Sequence, residues 1–530
     1  MRNLRTLVSA VIVSAACGAC PSVQLVNEDV AAQLKIAPTG SYLRGIPQGL
    51  GAPIVVNRRD FIYALAFDDT SKDLAFVHHV STHMELTSTA IEPIAPHFQQ
   101  KVNASEFDCE DVAYLGDKIL VASRQGTLRS FDRVSGTMKM EIATGEALLR
   151  IAVNADRSLV VLSTTEGRVL VFETQSLGLI GEGRLHSAEV RGLAFLPDGR
   201  LVSVGQDGQL KVSEIRASTL ASVRAPTTVL AKGELLFLTH LSGARAVATV
   251  RDTRQAVSVI SRAAVKRLQL SAPADGRMLT LQTAEGVREY PAVVVGALRI
   301  RTLALGDVMA AVCDDCVPEG AELQLGQDVL QHVSLVEVVA TDEIVVRPVE
   351  GDAVAHLVSG ARMVVETKSI SLPGPGTDLD VSASGTALVS FSTEKAERTF
   401  DLHAAEKKGN FLPPSSSSGA AIVEFEGGTL GKKFVSGHLG FTVTGAISPD
   451  GNTVVTGGWD RRLLVWDAHT GEVVTERSLA WLVRRSRFSP DGHLLGVAAW
   501  TPVNALNEGD SDPSLLLYPV ALAAASVVSN

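Results

Sequence analysis

The sequence predicts an all-β protein built as a closed ring of repeated sheets, and three observations lead there. One is the run from Gly437 to Gly471, GHLGFTVTGAISPDGNTVVTGGWDRRLLVWDAHTG. It opens on a Gly-His pair and closes soon after Trp466-Asp467, with a turn at Ser448-Pro449-Asp450-Gly451, an apolar stretch from Thr453 to Thr456 and a second turn at Gly457 to Asp460. The second is a weaker copy, HSAEVRGLAFLPDGRLVSVGQDGQLKVSEI, from His186 to Ile215. The third is a period. The positions matching Trp466 are Phe131, Phe172 and Ser213, each 41 residues from the next, and Pro449 and Pro490 are also 41 residues apart. Short apolar runs split by Gly, Asp and Pro turns read as strands. A constant period of this size marks a repeat architecture. A single four-stranded sheet leaves both faces uncovered, whereas radial packing lets each sheet cover its neighbour and ring closure protects the edges.

These residues resemble the WD40 repeat, the four-stranded blade of a β-propeller, and the resemblance implies one ring of seven or eight blades. It also implies a hydrogen-bonded tetrad in the clearest repeat, 437–471, formed by His438, Thr456, Asp460 and Trp466. An imidazole bonded to a buried carboxylate would pin two loops of one blade. The second copy keeps His186, Ser203 and Asp207 and has Ser213 in place of the Trp. Both sets are expected to be structural, since a motif of the fold does not specify chemistry.

From the amino terminus, residues 1–16 read as a signal peptide. Two positive charges in Met1-Arg2-Asn3-Leu4-Arg5 precede an apolar stretch, Thr6 to Ala16, that ends in small residues. The stretch is shorter than the ~20 residues of a membrane-spanning helix and has the layout of an export signal. Cys17 follows the expected cut and resembles a bacterial lipoprotein box, making it the expected lipid-attachment residue. The alternative is ordinary cleavage, with Cys17 and Cys20 incidental. Residues 17–52, with Pro21, Pro38 and Pro47, read as a tether. Blades are expected over 53–296, where TLRSFDRVSG, RVLVFE and VREYPA echo the repeat's third strand. Residues 297–370 break the pattern and read as a divergent blade or an insertion. The remaining blades fall in 371–522, with ERTFDL around Phe400, the clearest repeat, and SLLLYPV around Tyr518. The Pro/Ser tract from Leu412 to Gly419 reads as a solvated loop between blades.

The formal net charge is −10, from 58 acidic and 48 basic side chains, which argues against a nucleic-acid surface. Of the cysteines outside the leader, Cys313 and Cys316 form a C-x-x-C. Val317 in place of His excludes a c-type haem site, and no second C-x-x-C completes a zinc site. A disulfide in an oxidising compartment is the favoured reading, leaving Cys109 free. No metal ligand set and no cofactor is expected. His78, His79 and His83 form H-H-x-x-x-H within DLAFVHHVSTHMELTS, whose β-branched context predicts strand rather than a chelating helix. The acidic run Asn507 to Asp512 lacks the spacing of an EF-hand.

All four Trp lie between Trp459 and Trp500, with Arg461, Arg462, Arg484 and Arg485 nearby. Trp and Arg anchor many protein interfaces. Trp459, Arg461 and Arg462 are therefore expected to be exposed and to contact a partner, with Trp459, Trp481 and Trp500 as blade-core caps in the alternative. Two functions follow. The first is a non-enzymatic scaffold for protein partners, exported to the periplasm or anchored by lipid at the outer membrane of a bacterium. The second is a periplasmic hydrolase or lyase with an acidic and His site at the channel mouth.

Overall fold

Each period becomes a four-stranded antiparallel sheet, with the first strand at the ring axis and the fourth at the rim. The computed structural model describes residues 50–520 except 59–60, 81–82, 104–108, 219–221, 242–244, 284–285, 352–353, 393–417, 435–437, 439–440, 480–481 and 501–512. The inner strands, in order, are Phe61–Phe67, Cys109–Leu115, Leu148–Val153, Val190–Phe195, Gly376–Val381, Thr442–Ile447 and Leu482–Phe488. Each packs beside the next, and the last returns to the first, so the ring has seven blades. We number the blades 1 to 7 in this order.

Turn chemistry sets the hairpins. Between the first two strands of blade 6, Ser448 Oγ accepts the amide of Thr453 at 2.9 Å, and Gly451 takes φ 79°, a conformation that L side chains rarely adopt. Blade 7 repeats this device with Ser489, Leu494 and Gly492. The apolar faces of neighbouring blades then interlock. One core joins Val202, Leu210, Leu379 and Val389 of blades 4 and 5; another joins Val455, Leu463, Val483 and Leu495 of blades 6 and 7.

Closure is by strand exchange. Ile54–Arg58 pairs with Pro513–Pro519 as the fourth strand of blade 7, with Ile54 opposite Leu517. The first strand of the described chain thus belongs to the last blade, a long-range pairing that periodicity did not reveal.

The expected boundaries of the irregular segment need correction. It is an insertion, and it runs over 218–361 rather than 297–370, so 218–296 does not belong to the blades. Blade 4 loses the chain after its third strand, Gln209–Ala217, and recovers it as the fourth strand, Arg362–Ser371. ARMVVETKS is thus a blade strand, whereas VREYPA around Tyr290 lies in the insertion. The inserted domain has its own core, including Phe237, Val247, Ile300 and Leu323. It carries two short helices, Arg262–Leu268 and Gln327–Leu330, and a three-stranded sheet of Val223–Pro226, Glu343–Pro348 and Val333–Val338.

Candidate functional site

The channel is built by a bulge that recurs in every blade. In each inner strand the register with the second strand breaks at the same place: between Ile62 and Ala64, Cys109 and Asp111, Leu148 and Arg150, Val190 and Gly192, Gly376 and Asp378, Thr442 and Thr444, and Val483 and Arg485. One extra residue per strand re-aims the side chains around it. The bulge residues include Glu110, Arg191 and Arg484; those just after it include Asp111, Arg150, Asp378 and Arg485.

Two layers of charge result. The first lies at the mouth beside the loops that carry the tetrad His residues. Glu110 is buried there and accepts from Arg124 Nε at 2.6 Å and Arg484 Nη2 at 3.3 Å. Arg191 pairs with Glu189, and the Arg484 guanidinium lies over the ring of Tyr63, 5.2 Å from its centroid. Burial alone would raise the Glu110 carboxyl, but Arg484, Arg124, Arg150 and Arg191 surround it and bring it down to about 2.

The second layer lies deeper. Asp378 accepts from Arg485 Nη1 at 2.9 Å, from Arg487 Nη1 and Nη2 at 3.0 and 2.9 Å, and from the Thr444 hydroxyl at 2.8 Å. One carboxylate of blade 5 thereby holds blades 6 and 7. Burial opposes its ionisation, but Arg487 and Arg485 outweigh burial and hold it well below the usual carboxylate range. Asp380 is the exception. It takes the Ile447 amide at 3.0 Å, and burial raises its carboxyl despite the nearby Arg487.

The structure brings the predicted tetrad residues together. His438 Nδ1 lies 3.0 Å from Asp460 Oδ2, His438 Nε2 lies 2.8 Å from Thr456 Oγ1, and Trp466 Nε1 donates to Thr456 Oγ1 at 2.8 Å. His186, Asp207 and Ser203 form the shorter chain, with contacts of 3.0 Å and 2.8 Å. Space decides the neighbouring residue: a Cβ at Gly205 would stand 2.5 Å from both His186 Nδ1 and Asp207 Oδ1.

The expected exposed patch is corrected. Trp459 is only 7 % exposed. It packs edge-on against Phe441, centroids 5.1 Å apart, in a core with Tyr63 and Leu482. Arg462 makes a two-pronged pair with Glu476, both contacts at 2.6 Å. Arg461, at φ 62°, does remain exposed. Trp481 lies outside the described residues, as do Phe400, most of the Leu412–Gly419 tract, the Asn507–Asp512 run, Cys17, Cys20, the leader and nearly all of the 17–52 tether.

Cys313 and Cys316 are disulfide-bonded, their Cα atoms 5.4 Å apart, and Cys109 is a buried free thiol. The three predicted strand histidines fall on two strands rather than one. His78 and His79 lie in Asp73–Val80 and His83 begins the next strand. His78 bonds Thr87 at 2.9 Å and His83 bonds Glu85 at 2.8 Å. Among the described residues no group of three or more His, Cys, Asp or Glu is placed to hold a metal ion. Among the described residues no helix is long and apolar enough to cross a membrane.

The inserted domain meets the ring through a second buried ionic cluster, which nothing in the sequence pattern signalled. Arg301 binds Glu146 at 3.0 Å and also pairs with Glu182; Arg168 binds Glu182 at 2.9 Å and also pairs with Glu343. His240 Nε2 contacts the Ala143 carbonyl at 2.8 Å beside them. Burial brings that imidazole down to about 4, so it is neutral at pH 7.

The ring, its strand-exchange closure and its His–Asp pairs define a β-propeller. Two stretches, residues 179–212 and 429–467, match the family model described as WD domain, G-beta repeat. The first match runs from the outer strand of blade 3 into the third strand of blade 4, and the second from the outer strand of blade 5 through the third strand of blade 6, so together they contain both His–Asp pairs. The chain is 29 % identical over 125 residues to a ribosome biogenesis protein WDR12 homolog of Drosophila yakuba, covering 22 % of this chain and 30 % of that protein. It is 39 % identical over 62 residues to eukaryotic translation initiation factor 3 subunit I of Phaeosphaeria nodorum, covering 12 % of this chain and 19 % of that protein. The chain thus spans under a third of the length of these curated relatives.

Proposed function

We propose that this protein is a non-enzymatic propeller scaffold that binds protein partners in the cell envelope of a bacterium. The observation that carries the scaffold reading is how the channel charge is arranged. Asp378 and Glu110 are each held by arginines, which keeps these carboxylates ionised and committed to blade-to-blade bonds. A general acid or base needs a carboxyl poised near the working pH, and these two are driven the other way. The names of the two relatives concern ribosome biogenesis and translation initiation. The similarity covers stretches of 125 and 62 residues, about three repeats and one and a half. It supports the repeat architecture and does not carry those assemblies to this chain.

The contact surface we favour includes the inserted domain. Val336, within the edge strand Val333–Val338, is 54 % exposed, and Val339, just past its end, is 77 % exposed. Exposed apolar side chains on an unpaired edge are a cost that binding removes. The envelope location rests on the leader: Arg2 and Arg5, the apolar Thr6–Ala16 and Cys17.

Affinity capture from envelope extracts tests the scaffold. Val336→Glu with Val339→Glu is expected to lose the captured partner at an unchanged melting temperature; capture equal to wild type would remove the inserted domain from the interface. Palmitate labelling tests the anchor. It is expected in the wild type and absent in Cys17→Ser. Labelling that persists there and disappears in Cys20→Ser moves the anchor to Cys20.

A further inference from the structure

The half of the channel nearest the Pro-Asp-Gly turns is hollow. A cavity of about 240 Å³ lies there, with Pro490 at its rim. Its walls are apolar, from Leu65, Phe67, Ile151, Leu193 and Phe488, and its charged floor includes Asp111, Arg150, Asp378, Asp380 and Arg487.

Arg150 and Arg487 line this floor and Arg485 stands next to it, and two of the three are answered. Arg485 and Arg487 share Asp378. Arg150 is not answered in the same way. It is buried, and its Nη1 donates to the Leu149 carbonyl at 2.8 Å. Its ion pair with Glu110 is long, at 3.9 Å, and Glu110 is already bonded to Arg124 and Arg484. Arg150 Nε has no hydrogen-bond partner in the protein. A buried guanidinium without a hydrogen-bonded counter-charge is costly. Burial accordingly pushes its pKa down, against the pull of Asp111, Asp378 and Glu110.

We infer that the lower channel is a binding site for a small organic monocarboxylate, with the carboxylate on Arg150 and the apolar tail along Leu65, Phe67, Ile151, Leu193 and Phe488. The floor decides the charge. Arg150 and Arg487 on the floor, with Arg485 beside it, stand among three acids, Asp111, Asp378 and Asp380. Asp378 is neutralised by two of the arginines. Asp111 accepts the Ile151 amide at 2.9 Å and lies 3.6 Å from Arg485. One added negative charge satisfies Arg150, whereas a dianion would also meet Asp111 and Asp380. The walls decide the tail, since apolar surface rewards burial of methylene groups at about 0.8 kcal/mol each. The volume accommodates a chain of several carbons rather than a peptide.

The test titrates the full chain calorimetrically with sodium acetate, butyrate and hexanoate, with butylammonium chloride and inorganic phosphate as controls. Hexanoate is expected to bind saturably at one site, more tightly than butyrate, and butyrate more tightly than acetate, with both controls silent. Arg150→Gln should weaken hexanoate by about tenfold or more, the loss of a charge-assisted bond. Ala194 also lines the cavity. Ala194→Leu fills space without touching charge and should weaken hexanoate while acetate changes least, a result that stands even where Arg150→Gln fails to fold. No saturable hexanoate binding up to about 10 mM, phosphate binding in its place, or hexanoate binding unchanged in Ala194→Leu overturns the proposal. None of these outcomes bears on capture of a protein partner through the inserted domain.

Discussion

Replacing Asp378 by Ala tests whether the channel charges hold the ring. The carboxylate is almost fully buried and receives five hydrogen bonds, three from Arg485 and Arg487, one from Thr444 and one from the Leu379 amide. Its removal leaves Arg485 buried beside Arg150 with only the longer pair to Asp111, at 3.6 Å. Breaking a buried pair by deleting one partner costs about 3–5 kcal/mol. The Arg487 side chain is 23 % exposed, so water can compensate part of its loss, and we take the low end, about 3 kcal/mol. The unfolding entropy of a ring of this size, at roughly 2 cal/mol/K per residue over roughly 450 residues, is about 1 kcal/mol/K. The melting temperature should therefore fall by about 3 °C. In urea the midpoint should fall at constant slope, followed by the fluorescence of buried Trp459 and Trp466. Asp378→Asn keeps shape without charge and should lose less. Because the pairs are buried, added salt should change the loss little. An Ala variant within about 0.5 kcal/mol of wild type, the range of a surface change, refutes the reasoning.

Other outcomes follow from the same geometry. Asp460→Ala strands His438 and the Arg462 amide, which it accepts at 3.1 Å, and should cost about 1–3 kcal/mol in urea unfolding; an unchanged midpoint would mean that the tetrad adds nothing. The Glu110 carboxyl is depressed from 4.5 to about 2 on folding, so its contribution is full above pH 4.5 and is lost as pH falls towards 2. It amounts to about 3 kcal/mol, and acid unfolding of Glu110→Gln should show a shallower fall across that window. Trp459→Ala should destabilise by about 3–5 kcal/mol as a core truncation, whereas Arg461→Glu should leave the melting temperature unchanged. If Trp459→Ala melts like wild type, its core placement is wrong.

The ring was legible because its turns repeat while its strands vary. Ser448-Pro449-Asp450-Gly451 and Ser489-Pro490-Asp491-Gly492 occupy the same hairpin of adjacent blades, and their spacing is one blade. The tetrad was legible because its four residue types recur in fixed order. The channel was not, because its chemistry varies around the ring: Ala64, Asp111, Arg150, Gly192, Asp378, Thr444 and Arg485 share a position but no single residue type, with Asp and Arg each appearing only twice in seven. A signal did exist. Gly192, Thr444 and Arg485 each stand five residues before the proline of a Pro-Asp-Gly turn, at Pro197, Pro449 and Pro490. Counting back from the turns would have laid Asp378 and Arg150 on the same ring. Trp459 misled for a simpler reason: a turn beside Asp460 looks solvated until Phe441 is seen to cover it.

The insertion was hidden by the strand that ends it. Arg362–Ser371 pairs along its length with Gln209–Ala217, and its first residues also lie parallel to the outer strand of blade 3, Arg362 opposite Gly181 and Met363 opposite Glu182. A strand delivered by a separate domain therefore spans two blades. Backbone contact of this closeness requires a small residue, and Gly181 supplies it: a Cβ there would meet the Arg362 carbonyl at 2.7 Å. An outer strand is normally an exposed edge that invites pairing with another chain. Here the edge of blade 3 is occupied by the returning strand and sealed by Arg168, Arg301, Glu182 and Glu343. The insertion thus interrupts the repeat in sequence while removing one of the ring's open edges in space, and it carries exposed apolar side chains of its own on an edge strand, at Val336, and just beyond it, at Val339.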